Sequence, residues 1–137
     1  MASLQEYLFD SAKFSATAEA ALATSLLLVK YGTTVEIQNV VVTAAVGDYP
    51  RGRADHLQAT AGGAVRCHAL VGGQMMRLQS DGNVTADALI CPDAAGQATD
   101  VGPTAADVVI GQAIETQGTQ GTAFRIAVLS PFRYAAT

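Results

Sequence analysis

The chain has no tryptophan, two cysteines, two histidines and few charges; Asp, Glu, Lys and Arg make up 15% of its 137 residues. Each scarcity removes a class of protein. Two cysteines, Cys67 and Cys91, make no disulfide framework, so the core must come from apolar packing. Metal ligands are short as well. Cys67 and His68 are sequence neighbours, and neighbours on a strand point to opposite faces. His56 and Cys91 stand in no Cys-x-x-Cys or His-x-x-x-His spacing. The expectation is no metal and no cofactor, with Cys67 in the core and His68 outside. A net charge of −4 provides no basic face for nucleic acid. The longest apolar runs, residues 26–29 and 40–42, are far too short to cross a bilayer as helices. No basic, apolar leader precedes them, which predicts synthesis in a cytoplasm.

Catalytic signatures are missing too. There is no G-x-S-x-G. The glycine-rich pieces 61–63, 71–73 and 118–121 match neither a dinucleotide fingerprint nor a phosphate-binding loop. They fall between strand-like runs rather than before a helix, so they read as turns. The expectation is a protein that is not an enzyme. The low charge also says something positive. Soluble domains carry about 25% charged residues, so a chain at 15% that is half hydrophobic suits a surface covered by copies of itself or by a partner.

What is there is repetition. Shifted by 59 positions, residues 48–70 lie on residues 107–129 without a gap, and nine of 23 columns are identical. These are Asp48/Asp107, Gly52/Gly111, Ala54/Ala113, Gln58/Gln117, Thr60/Thr119, Gly62/Gly121, Ala64/Ala123, Arg66/Arg125 and Leu70/Leu129. The order of features repeats as well: an Asp, a Gly-x-Ala, a polar glycine turn, then an alternating strand with one Arg. Such repetition means one supersecondary unit used twice and packed against its copy. Equivalent Asp48 and Asp107 are expected to do the same local job in a turn. Arg66 and Arg125 pair either with an acid across the sheet or with one on a partner.

Along the chain, 1–13 reads as an N-terminal arm with Leu4, Tyr7, Leu8 and Phe9. Residues 14–130 read as one β domain, with pseudo-repeats about 14–71 and 72–130, and 131–137 as a C-terminal tail. Strands are predicted near 13–17, 26–31, 35–43, 64–71, 74–79, 87–92, 107–116 and 122–130, from β-branched runs and period-two alternation. A single helical turn near 17–23 is open. Residues 26–37 are matched to 88–99 in the second copy. Asp81-Gly82 carries a hairpin signal, residues 93–107 read as a long polar loop, and Met75-Met76 as one core and one outward residue. Many short strands with turns every 8–12 residues predict an all-β barrel or sandwich built from two pseudo-repeats.

This pattern resembles the small capsid decoration, or cement, proteins of tailed bacteriophages. The pieces are 26–31, 51–54 and 63–70, then 88–97, 110–115 and 121–129, with RGRADH of the first copy departing from the apolar run usual there. The resemblance implies a compact β-barrel or β-tulip, and a homotrimer or dimer on the outer surface of the virion capsid. It implies major capsid protein as partner, at subunit junctions, resisting the pressure of packaged DNA. Residues offered for capsid or subunit contact are Leu4, Tyr7, Leu8, Phe9, Phe14, Arg51, Arg53, Arg66, Arg125, Phe132 and Tyr134. Other virion parts, such as a spike base or tail-completion module, are an alternative. A trimeric all-β nucleotide hydrolase is another, although the tail lacks the glycines of such an enzyme's closing motif.

Overall fold

Period-two burial is the local rule from which the fold follows. In the computed structural model, which describes residues 13–32, 39–42, 47–102 and 107–133, strand Ala64–Ala69 buries Val65 and Cys67 and exposes Ala64 and Arg66. Strand Met75–Gln79 likewise buries Met76 and Leu78 and exposes Met75 and Arg77. One face of each is apolar and must be covered, so the strands curl around a common interior.

Among the described residues ten strands form: β1 Lys13–Ala18, β2 Leu28–Tyr31, β3 Asn39–Val42, β4 Gly52–Ala54, β5 Ala64–Ala69, β6 Met75–Gln79, β7 Leu89–Pro92, β8 Ala98–Asp100, β9 Val108–Ala113 and β10 Ala123–Arg133. The first five close into a barrel in the order β1-β3-β2-β4-β5. β5 returns to β1 with Lys13 opposite His68, and β1 runs parallel to β3 with Ala18 opposite Val40. The last five form a sheet in the order β6-β10-β9-β7-β8. Its two edges meet at one parallel bridge, Ser80 to Ala98. Read around the circle, the second order is the first order again. The protein is all-β and built from two pseudo-repeats.

The repeat extends to individual hydrogen bonds. Leu22 bridges Gln58, and Val84 bridges Gln117. The Leu26 N–H donates to Ala54 at 3.1 Å and the Asp87 N–H to Ala113 at 2.9 Å. Leu26 and Asp87 share a left-handed backbone, φ 63° and 69°, and Gly62 and Gly121 share φ of 89° and 82°. Gln58 and Gln117 each clamp their own turn. The Nε2 of Gln58 donates to the Ala64 carbonyl at 2.9 Å, and its Oε1 accepts from Thr60 N–H at 3.3 Å. Gln117 does the same to Ala123 and Thr119, at 3.4 and 3.2 Å.

Several expectations are corrected. Leu28 stands opposite Arg53 and Leu89 opposite Gln112. Since residues 53 and 112 are equivalent, Leu28 matches Leu89, one residue away from the expected match of 26–37 with 88–99. A slip of one residue reverses strand faces, so only the pairing register decides it. Asp81-Gly82 turns the chain, with Asp81 Oδ1 accepting the Asn83 N–H at 2.9 Å, but it closes no hairpin. β6 pairs with β10, not with β7. Residues 17–23 hold no helical turn: Thr17 and Ala18 belong to β1, and Leu22 is the bridge residue. Helical structure among the described residues is one 3₁₀ turn, Ala94–Gly96; it and β8 lie inside the stretch expected to be a loop. β10 continues through Pro131 to Arg133 after an irregularity between Val128 and Phe132. The arm residues Leu4, Tyr7, Leu8 and Phe9, and Tyr134 of the tail, lie outside the described residues, as does most of the expected strand 35–43.

Two cores result. The barrel interior is small: Ala16, Ala18, Leu22, Val29, Val40, Ala54, Val65 and Cys67. The second is larger and centres on Leu78, Ile90, Ile110, Phe124 and Ile126. Leu28 of β2 packs into the second core, so one strand belongs to one half by pairing and to the other by packing. Gln79 extends the junction, its Nε2 donating to Thr24 Oγ1 at 2.9 Å and to the Ser25 carbonyl at 3.1 Å.

Candidate docking surface

The described side chains proposed for contact fall into three groups, with Phe132 apart from them. The first forms where the ends of β1, β2 and β4 meet. Arg51 lies over the Phe14 ring, 4.4 Å from its centroid, and beside Tyr31 at 5.0 Å. Tyr31 is 62% exposed and Tyr49 48%. Next to them Lys30 Nζ donates to Asp48 Oδ2 at 3.0 Å. A guanidinium held against two rings is fixed at low entropic cost and keeps an apolar and a charged edge toward solvent. Phe14 and Arg51 are thus brought together; Tyr31 joins them without having been singled out. Its signal was its place at the end of β2, legible only once β2 lies beside β4.

The second group is internal. Arg53 Nη2 donates to Asp55 Oδ1 at 2.7 Å, and Arg53 Nη1 donates to the Arg77 carbonyl at 3.0 Å, reaching from β4 to β6 of the other half. His68 Nδ1 lies 2.6 Å from the same Asp55 oxygen. The short distance places the Nδ1 proton on that bond. Nδ1 is then a donor, so the 3.2 Å approach of Arg53 Nη2 to it is a contact and not a second hydrogen bond. Desolvation pushes the Asp55 carboxyl up, but hydrogen bonds and charge from Arg53 and His68 outweigh it and hold the group below its ordinary range. The Arg53 side chain is only 12% exposed. It is engaged in joining the halves.

The third group contains the repeated arginines. Arg125 sits opposite Arg77 across β10 and β6, a like-charge pair that is unfavourable unless an acid intervenes. Glu115 supplies it: Oε2 accepts from Arg125 Nη2 at 3.2 Å and Oε1 accepts the Arg125 N–H at 3.0 Å. Those bonds hold the Glu115 carboxyl below its usual range. Arg66 is at the same place on the barrel, with Ser15 opposite where Arg77 stands in the second half. His56 replaces Glu115, its Nε2 accepting the Arg66 N–H at 3.3 Å. A shallow cleft opens here, lined by Ser15, Asp55, His56, Ala64, Val65 and Arg66. Phe132, 44% exposed, lies apart on β10 near the chain's end.

The equivalent aspartates differ. Asp48 binds Lys30, whereas Asp107 is buried and accepts the Gly102 N–H at 2.8 Å. Cys67 and Cys91 are buried and reduced, and burial pushes their thiols up to about 11 and about 12. Met76 is buried and Met75 exposed. Among the described residues no three His, Cys, Asp or Glu side chains cluster in a way that fits a metal ion, and no helix is long and apolar enough to cross a membrane.

No protein-family model matches the sequence, and no curated protein matches it. A solved structure does: the chain is similar to the crystal structure of the head fiber gp8.5 N base in bacteriophage phi29, with a TM-score of 0.62 and 15% identity. The match covers 86% of this chain and 93% of that one. At that identity the likeness is one of fold.

Proposed function

We propose that the chain is a structural protein of a tailed-phage virion, made in the host cytoplasm and seated on the outer surface of the capsid. The observation that carries this reading is the fold shared, over nearly the whole of both chains, with the N base of a phage head fiber. The low charge and the exposed Tyr31, Tyr49, Leu57, Val71 and Phe132 support it, since they offer area that a partner can cover. In the finer form of the proposal the protein is a homotrimer at junctions between major capsid subunits. It acts as a clamp rather than as an enzyme: a ligand that binds only the assembled shell stabilises the shell by mass action.

A second reading has its own support. The neighbour is named as the base of a head fiber, which favours a base that carries a projection over a plain cement. Both readings place the protein on the head and differ in what lies above it.

Sedimentation of the purified protein with DNA-free heads tests them together. Co-sedimentation that saturates at a copy number set by the capsid lattice, and heads that then resist heating, support the clamp. Saturation at fewer copies, with density projecting from each in electron micrographs, supports the fiber base. A protein that stays monomeric and sediments with no head refutes both.

A further inference from the structure

Among the nine repeated columns, Arg66 and Arg125 form the one with a basic side chain, and it is exposed in both copies. Gly52 and Gly111 admit a close strand, Ala54 and Ala113 are buried, Gln58 and Gln117 clamp turns, and Gly62 and Gly121 take positive φ. Burial and turn geometry account for those. They do not account for a guanidinium at 66.

The second half shows what such a guanidinium takes. There a carboxylate, Glu115, reaches both the backbone N–H and the guanidinium of Arg125. In the first half His56 satisfies only the backbone N–H. No acid of the described residues pairs with the Arg66 guanidinium. The one acid lining the cleft, Asp55, is already engaged by Arg53 and His68. We infer that the Arg66 cleft is a docking site for a carboxylate side chain on an acidic segment of a partner protein, which takes the place that Glu115 fills on Arg125.

The net charge of −4 does not prevent this. Screening at physiological salt acts over about 8 Å, so a contact at hydrogen-bond distance outweighs diffuse repulsion from distant acids. Ser15, opposite Arg66 on β1, adds a hydroxyl where the second half has Arg77. The first-half site therefore carries one positive charge and suits one carboxylate. Phosphodiester chains favour clusters of positive charge, which this cleft lacks.

The site does not depend on the virion reading, and its test uses a defined probe. The full chain is titrated with poly-L-glutamate while the arginine Nε–Hε resonances are followed. The Arg66 resonance is expected to shift saturably and that of Arg125 much less. His56→Glu places an acid where Glu115 stands in the other half; it is expected to keep the backbone spectrum and weaken the Arg66 response at least tenfold. Arg66→Ala, a change of an exposed side chain, is expected to weaken poly-L-glutamate binding as strongly, and it decides the matter should His56→Glu not fold. No shift at Arg66, an undiminished response in both variants, or tighter binding of a single-stranded DNA oligonucleotide would overturn the assignment. Head sedimentation is scored separately, so a failure there leaves this result intact.

Discussion

Gly52 and Gly111 meet the same obstacle. A Cβ on Gly52 would lie 2.3 Å from the His68 carbonyl oxygen, and one on Gly111 would lie 2.6 Å from that of Ala127. The obstacle in each case is backbone of the neighbouring strand, which cannot rotate away. The Gly-x-Ala of each copy is therefore a packing requirement between adjacent strands. Gly52→Ala and Gly111→Ala are each expected to cost about 1–3 kcal/mol, the range for overpacking a tight site. Urea unfolding measures it, and a neutral result at either position would contradict the close approach.

The turn clamps are independent of each other. Gln58→Ala and Gln117→Ala each remove side-chain bonds to their own turn, and the two glutamines have no bonding partner in common. Each change is expected to cost about 0.5–1.5 kcal/mol. The double variant should lose the sum to within about 0.5 kcal/mol. A larger deviation in chemical denaturation would mean that the halves are coupled through these turns.

Arg53 sets the acid limb of stability. The folded Asp55 pKa is depressed. Its contribution is thus present above the unfolded value near 3.8 and is lost as pH falls through the lower folded value. Arg53→Ala removes the strongest depressing partner while leaving the desolvation, so the Asp55 carboxyl should titrate at higher pH. Carbon-detected NMR of Asp55 reads this directly, and acid unfolding should begin at higher pH than in the parent.

Asp81 behaves oppositely to Asp55. Burial first, and then a hydrogen bond to Asp93, raise the Asp81 carboxyl above its ordinary range. A raised folded pKa contributes stability below the unfolded value, and that contribution is lost as pH rises through the folded one. Asp93→Asn replaces the like charge with an amide that donates. It is expected to raise Tm at pH 7 and to leave it nearly unchanged at pH 3, as scanning calorimetry will show.

The thiols report on the two halves, Cys67 on β5 and Cys91 on β7. With pKa values pushed to about 11 and about 12 and both sulfurs buried, Cys67 and Cys91 should not react with a disulfide reagent at pH 8 in the native state. Two thiols should appear on unfolding. Rapid reaction of one in native buffer would mean that its half opens locally.

The sequence by itself determined that the chain is two copies of one β unit. It also determined where the unit turns: Gly62 and Gly121 supply the positive φ of the equivalent turns, and Val65, Cys67, Phe124 and Ile126 stand at alternate positions around Arg66 and Arg125. Tertiary structure decided the rest. That β6 pairs with β10 despite the Asp81-Gly82 signal, that Leu28 matches Leu89, that Arg53 is spent on joining the halves, and that Arg66 lacks the acid that Arg125 has were not legible. The physical reason is that strands are joined by backbone groups identical in every residue but proline. Their ladder leaves no mark in the sequence, and a side chain's partner depends on which distant strand lies beside it.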